Sequence, residues 1–248
     1  MELQLREKEI FETLKHIKKL NFAVVGGYAV NAYTLPRFSV DCDIVVLNDK
    51  ESEKIEKELL KLGYKESKTE AETPYNTENK LNPCFLSPKN QHKDFCDGSF
   101  KRYEKEISKD FSVSMDILIK EVLDRQTNST FSAEWVIENS KIRSLKGKTI
   151  TEELKLRIIN PEALFVMKMI TCRLTDIRDI FLLISSTKDK SWIKEEISKR
   201  CSFENRFEKV KEEITSKQFK DGLQGVFGLV DNKIFEKHKK MIVTLEKL

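Results

Sequence analysis

FAVVGGYAVNAYTLPRFSVDCDIVVL, residues 22–47, is the stretch of sequence that decides the fold. It opens on an apolar run, residues 22–25, which predicts a buried strand that stops at Gly26-Gly27. A short helical segment is predicted over 28–35. Residues 41–46, DCDIVV, then predict a second strand. The stretch therefore predicts a strand, a glycine turn, a short helix and a second strand in close succession.

The second strand carries two acids on one face. Side chains alternate across a strand, so Asp41 and Asp43 project together, about 7 Å apart at their Cα atoms. Residues 111–119 alternate in the same way and place Asp116 on their polar face. If this strand pairs beside 41–46, three carboxylates converge. Hard oxygen ligands of this kind suit Mg²⁺ or Mn²⁺, and three acids can hold the metal pair of a phosphoryl displacement.

These residues occur in a recognisable order: Gly26-Gly27, Arg37, Ser39, Asp41-x-Asp43 and a later acid on a strand. The order resembles the signature of the DNA polymerase β superfamily of nucleotidyltransferases. It is similar to that of the AbiEii-like branch, which includes the nucleotidyltransferase toxins of bacterial and archaeal toxin–antitoxin pairs. The resemblance implies Mg²⁺-dependent transfer of a nucleoside monophosphate from an NTP to an acceptor hydroxyl, with release of pyrophosphate.

The resemblance also implies roles for the acids. Asp41 and Asp43 would hold both metals, and Asp116 would bind the catalytic metal and help to deprotonate the acceptor. All three are thus predicted catalytic residues and metal ligands.

The turn and its neighbours are candidate nucleotide contacts. Gly26-Gly27 allows backbone N–H groups to approach phosphate oxygens, and the following helix adds a favourable dipole. The alternative is a turn that simply ends the strand. Arg37 is either a substrate contact or a surface residue, and Ser39 either contacts nucleotide or shapes the turn.

A second group of candidates follows Asn160-Pro161, a good helix start. Lys168 interrupts an apolar stretch of that helix, and it either extends its ammonium group to solvent at the helix edge or faces a buried anion. The family carries a similar pattern after its core: Pro-Glu, a lysine, an arginine and an Asp-x-x-Asp. This sequence has Thr175 where a lysine is common in that pattern.

Carried over by this resemblance, Lys168 and Arg173 would contact the triphosphate, and Asp176 or Asp179 would orient those cations. Asp176 is equally compatible with a helix-dipole partner in the first turn of its helix. Asp179 is predicted to belong to the nucleotide site.

Composition predicts a charged cytoplasmic protein: of 248 residues, 39% are hydrophobic and 35% are charged. No run of eighteen apolar residues is present, so no transmembrane helix or membrane partner is expected. The five cysteines are odd in number and show no C-x-x-C spacing, which predicts reduced thiols rather than a zinc site.

The predicted fold class is α+β. Residues 1–159 are expected to form a nucleotidyltransferase domain, a mixed sheet flanked by helices, and residues 160–248 a C-terminal helical bundle. Residues 69–110 are predicted to be an insertion over or beside the site, or equally a disordered loop. The segment 188–248 has 15 basic and 11 acidic residues, so it carries the whole net charge of +4.

That basic segment favours a polyanionic partner but is also compatible with an ordinary solvated surface. Among acceptors, the resemblance points first to RNA, and in particular to tRNA acceptor ends. The alternatives are a small-molecule or protein hydroxyl, and a catalytically silent protein that only binds nucleotide. The resemblance further implies an NTP substrate and a cognate antitoxin protein.

Overall fold

The structure, a computed structural model, describes residues 2–67, 98–109, 111–228 and 230–247. Within them the chain has the predicted α+β fold class: a mixed seven-stranded sheet flanked by helices, followed by C-terminal helices. Most of the predicted insertion, 69–110, lies outside the described residues, but its last part is a long strand of the sheet.

The strands of the described part are, in chain order, β1 (Ala23–Val24), β2 (Asp41–Val46), β3 (Lys65–Ser67), β4 (Ser99–Ser108), β5 (Phe111–Ile119), β6 (Glu121–Asp124), β7 (Ser129–Ser132), β8 (Ser140–Leu145) and β9 (Leu154–Ile159). The helices are α1 (Glu2–Ile17), α2 (Gly26–Asn31), α3 (Asp49–Lys61), α4 (Ala133–Glu138), α5 (Pro161–Thr171), α6 (Leu174–Leu183), α7 (Lys190–Ser198), α8 (Phe203–Thr215), α9 (Lys217–Phe227) and α10 (Asn232–Val243). Two 3₁₀ turns, Ile184–Ser186 and Thr244–Lys247, follow α6 and α10.

The sheet has the strand order β3-β4-β5-β2-β1-β9-β8, and β6 and β7 form a separate hairpin. β2 and β5 are parallel neighbours at the centre, which confirms the predicted pairing of the two acid-bearing strands. β1 is antiparallel to β2 and parallel to β9. β4 is antiparallel to β5 on the other side. The acids therefore lie in the middle of the sheet, between strands from distant parts of the chain.

Alternation along β2 and β5 separates a core face from a polar face. Cys42, Ile44, Val113, Met115 and Ile117 are all fully buried, as their period of two predicts. Helices α1 and α3 pack on these strands. Burying these apolar side chains holds the two strands in register and so fixes the acids on the opposite face.

The transition from strands to helices occurs at Asn160. Its side chain accepts a hydrogen bond from the Ala163 N–H and caps α5, with Pro161 at the first helical position. From there to residue 247 the described segments are helical or connecting. The division into two domains at this point stays a prediction.

The local sequence predicts a connection over 121–130 and helices over 203–218 and 232–247. The structure instead has β6 and the start of the β6–β7 hairpin within 121–130. It also has a further helix, α9, largely between the two predicted ones, although Gly222 and Gly225 are poor helix formers. The short helix α2 starts at Gly26 rather than after the glycines. Within the described segments, no helix combines the length and apolarity that a membrane crossing requires.

Candidate active site

Three carboxylates meet where β2 and β5 pair. Asp43 lies directly opposite Asp116 in the register, and Asp41 lies two residues before Asp43 on the same face. Each carboxylate offers an oxygen within 4.8 Å of the other two. Asp116 is buried, whereas Asp41 and Asp43 are partly buried. The structure thus brings together the three acids that the sequence singled out.

Burial and mutual repulsion raise the pKa values of carboxylates in this group. Burial, and after it the negative charges of Asp41 and Asp116, raise the pKa of Asp43 from 3.8 to about 7. Burial also raises the pKa of Asp116, although hydrogen bonds from Arg102 act in the opposite direction. The raised pKa values mean that the surroundings of Asp43 and Asp116 disfavour the charged carboxylate when no metal is bound.

The residues fit a hard divalent cation. Three carboxylates within one ligand sphere, two of them open toward solvent, form an oxygen-only donor set. Such a set suits Mg²⁺ or Mn²⁺ rather than zinc, which takes nitrogen and sulfur ligands more often. A bound cation would also remove the like-charge repulsion that raises the pKa of Asp43.

The glycine turn packs against both the acids and the neighbouring cations. Gly26 has a φ of +63°, and a Cβ added to it would lie 1.9 Å from the Asp43 Oδ2 atom. A Cβ on Gly27 would lie 2.2 Å from the Ser39 Oγ atom and 3.3 Å from the Arg37 Nη2 atom. The backbone at the start of α2 therefore lies against Asp43, Ser39 and Arg37, with no side chain between them.

We expect Gly26→Ala to lower the free energy of unfolding by about 1–3 kcal/mol, because alanine is strained at this φ and collides with Asp43. Transfer activity should fall as well, since the Asp43 carboxylate has to move. Urea denaturation and a nucleotide-transfer assay measure the two effects.

Gly222→Ala is the matched control, because Gly222 lies inside α9 with nothing within 4 Å of an added Cβ. It should gain about 0.5–1 kcal/mol from helix propensity. A Gly26→Ala protein with wild-type stability and activity would contradict the assigned packing.

A network of buried charges lies on the other side of the turn. Arg37 donates two parallel hydrogen bonds to Asp179, from Nε to Oδ1 at 2.9 Å and from Nη2 to Oδ2 at 2.7 Å. The Lys168 ammonium lies 3.2 Å from the same Asp179 Oδ2 and 2.7 Å from the Asp176 Oδ1. Asp179 is fully buried and Arg37 nearly so. The network joins the loop before β2 to helices α5 and α6.

Lys168 therefore faces buried anions rather than solvent. Burial disfavours its charge, but Asp179 and Asp176 outweigh burial and raise the pKa of Lys168. Its charge in turn lowers the pKa of Asp43, so the network and the acid group share one electrostatic field. Besides pairing with Lys168, Asp176 accepts a hydrogen bond through its Oδ2 from the Arg173 N–H at the start of α6.

Arg173 is not brought into this network through its side chain. Its guanidinium is 58% exposed and lies 3.9 Å from Asp124 of β6. Arg178, which the sequence did not single out, is one turn further along α6. Burial and the nearby charge of Arg37 lower the pKa of Arg178, and its buried Nε has no hydrogen-bond partner among the described residues.

Comparison with known proteins identifies the family. The family model described as the nucleotidyl transferase AbiEii toxin of type IV toxin–antitoxin systems matches residues 11–248. The chain belongs to this AbiEii family. It is accordingly a nucleotidyltransferase.

Solved structures add a distant likeness to the AbiEii match. A crystal structure of a provisionally assigned nucleotidyltransferase from H. pylori is 12% identical over 99% of this chain and 95% of its own, with a TM-score of 0.49. None of the curated proteins matches the chain at a significant level.

Besides Arg178, the sequence pattern of this AbiEii-family chain did not indicate Arg102 as a residue of the candidate site. Arg102 of β4 donates to both oxygens of Asp116, at 2.8 and 2.7 Å, and lies 3.8 Å from Asp41. The available signal is the alternation in SFKRYEKEIS, which puts Arg102 and Tyr103 on opposite faces of a strand. That segment is so highly charged that its strand character is hidden.

Proposed function

We propose that this chain transfers a nucleoside monophosphate from an NTP to an acceptor hydroxyl and uses Mg²⁺ or Mn²⁺ held by Asp41, Asp43 and Asp116. The observation that carries the proposal is the position of the Gly26-Gly27 backbone, between the acid group and the Arg37–Lys168 network. Phosphoryl transfer needs metal ligands, phosphate-binding N–H groups and cations in one place. Family membership supports the same reaction class.

In the proposed site the triphosphate lies over Gly26-Gly27 and faces Ser39. Lys168 has three N–H donors, of which the contacts with Asp176 and Asp179 use two, and the third remains for a phosphate oxygen. Arg37 has five donors and directs two of them at Asp179. Asp179 thus orients both cations. The Arg173 side chain lies outside the network and would contact the nucleotide only from the exposed surface beside Asp124.

In the transfer step the acceptor oxygen bonds to the α-phosphorus, and the bond from that phosphorus to the oxygen bridging to the β-phosphate breaks. Pyrophosphate leaves with the electron pair, and the acceptor proton passes to the Asp116 carboxylate. A bound Mg²⁺ or Mn²⁺ would supply Lewis-acid stabilisation of the charge on the phosphates. Asp41 and Asp43 would provide the carboxylate oxygens that hold such a cation in place.

We propose RNA, and tRNA acceptor ends in particular, as the acceptor. The excess of positive charge in residues 188–248 supports a polyanion. The family's toxin–antitoxin context supports a cellular target and a cognate antitoxin that restrains the enzyme. A small-molecule or protein hydroxyl is the competing acceptor.

The test incubates the purified protein with each of four α-labelled NTPs, Mg²⁺ and total cellular RNA. We expect label in RNA with a preferred NTP, and loss of that label with EDTA. Asp41→Asn should lower the transfer at least about 10³-fold, since it removes a metal ligand. Asp221→Asn, an exposed acid of α9, is the matched control and should be fully active.

Full transfer by Asp41→Asn would contradict the mechanism. Label that reaches a small molecule or a protein in added cell extract, and never RNA, would retain the chemistry and replace the acceptor. Tight NTP binding without pyrophosphate release from any acceptor would establish a catalytically silent protein instead.

A further inference from the structure

Arg102 already pairs with Asp116, one of the three carboxylates of the proposed metal site. It lies directly opposite Asp116 in the antiparallel β4–β5 register. Its Nε and Nη2 atoms each donate a hydrogen bond to one of the two Asp116 carboxylate oxygens. The neighbouring cation on β4, Lys101, points to the other face of the sheet and pairs with Glu56. The contact with Asp116 is therefore a product of strand register and is specific to position 102.

A guanidinium in this geometry and a divalent cation compete for the same atoms. Bidentate pairing uses one of the two in-plane lone pairs on each Asp116 oxygen, the same two that a metal chelated by both oxygens would take. The positive charge of Arg102, 3.8 Å from Asp41 as well, repels any second cation at this end of the acid group. Within the described part of the chain, the contact between Arg102 and Asp116 is the bidentate contact made by the acid group.

We propose that Arg102 is the resident counter-ion of Asp116 and competes with the divalent cation for that carboxylate. Full coordination by Asp41, Asp43 and Asp116 then requires the guanidinium to leave the Asp116 oxygens. Arg102 has room to do so, because its side chain is 32% exposed at the open side of the site. This inference rests on the proposed function, since it concerns the same metal site.

Removal of the competitor should strengthen metal binding. Arg102 offsets one unit of the negative charge of the three carboxylates, so its removal leaves the acid group one unit more negative. Arg102→Met keeps an unbranched stem of similar shape but removes the guanidinium and its charge. We expect it to bind Mn²⁺ roughly tenfold more tightly than wild type in the absence of nucleotide. Arg102→Lys keeps the positive charge but cannot form the bidentate contact, so its Mn²⁺ affinity should lie between those of wild type and Arg102→Met.

The experiment titrates Mn²⁺ alone into each full-length protein and follows free Mn²⁺ by electron paramagnetic resonance. Thermal unfolding with and without Mn²⁺ provides a second readout, in which Arg102→Met should have the lower Tm without metal and the larger upward shift with it. Lys101→Met is the matched control because it removes the adjacent cation from the other face. Its Mn²⁺ affinity should equal that of wild type.

The outcomes separate this inference from the proposed function. Mn²⁺ binding that Asp41→Asn abolishes but Arg102→Met leaves unchanged or weakens would overturn the competition and leave the metal site standing. An equal gain in Lys101→Met would also overturn it, since the effect would then be one of general charge. Failure of wild type, Arg102→Met and Arg102→Lys alike to bind Mn²⁺ would overturn both. If Arg102→Met does not fold, the Mn²⁺ affinity of Arg102→Lys relative to wild type decides the question, and an affinity no higher than that of wild type would overturn the competition.

Discussion

Asp43→Asn is expected to abolish nucleotidyl transfer and, at the same time, to stabilise the metal-free protein. The activity should fall at least about 10³-fold, because the central metal ligand of the acid group becomes neutral. The free energy of unfolding without metal should rise on the order of 1–2 kcal/mol. The gain follows from removal of a negative charge that lies close to both Asp41 and Asp116.

Urea denaturation in EDTA, combined with the α-label assay, measures both effects on one preparation. Asp49→Asn is the matched control. Asp49 lies just after β2, the strand that carries Asp43, but it pairs with Lys120, and this contact lowers the pKa of Asp49. That variant should lose a little stability and keep its activity. A drop in the stability of Asp43→Asn in EDTA, or retained transfer, would contradict the assignment of Asp43.

The pH dependence of stability tests the role of Asp43 independently of the activity measurement. The pKa of Asp43 rises from its ordinary value of 3.8 to about 7, so between these values the folded chain binds more protons than the unfolded chain. The contribution of Asp43 must therefore become less favourable as pH rises from about 4 to about 7, and then level off. The stability difference between Asp43→Asn and wild type should grow over that window in EDTA. A difference that shrinks with rising pH would contradict the origin given for the effect.

The acid group could be predicted because it depends on local alternation. A period of two along 41–46 and 111–119 assigns each acid to a face, and one pairing of two strands then brings Asp41, Asp43 and Asp116 together. The glycine turn could also be predicted from the sequence, because only glycine tolerates both the positive φ and the close approach to Asp43. For these elements the local sequence contained the decisive constraint.

The partners of these residues could not be predicted in the same way. Arg37 and Asp179 were each assigned to the nucleotide site, but 142 positions separate them and nothing local shows that they form an ion pair. Arg102 reaches Asp116 only because β4 adds to the sheet beside β5, and the strand character of β4 is masked by its charge. Such contacts depend on tertiary register, which the local pattern does not contain.

The buried pair of Arg37 and Asp179 should respond very differently to single and double replacement. Asp179→Leu leaves Arg37 without its bidentate partner and removes one of the two carboxylates that hold Lys168. The expected loss is about 3–5 kcal/mol, because a buried charge without a partner keeps its full desolvation cost. Exposed ion pairs contribute much less, so Lys54→Met, which removes the surface pair with Glu51, should change stability by about 0.5 kcal/mol at most.

The double variant Arg37→Met/Asp179→Leu should recover much of that loss, since apolar side chains replace both charges and Lys168 keeps Asp176. Transfer activity should not recover, because the cation proposed to face the triphosphate is gone. Urea denaturation gives the coupling between the two positions, and NTP affinity gives the functional effect. Equal stability of the single and double variants would show that the unpaired arginine is not the source of the loss. Recovered NTP binding and transfer in the double variant would assign Arg37 a purely structural role. A stable fold that no longer binds NTP is therefore the result that would separate the function of this buried charge from its contribution to folding.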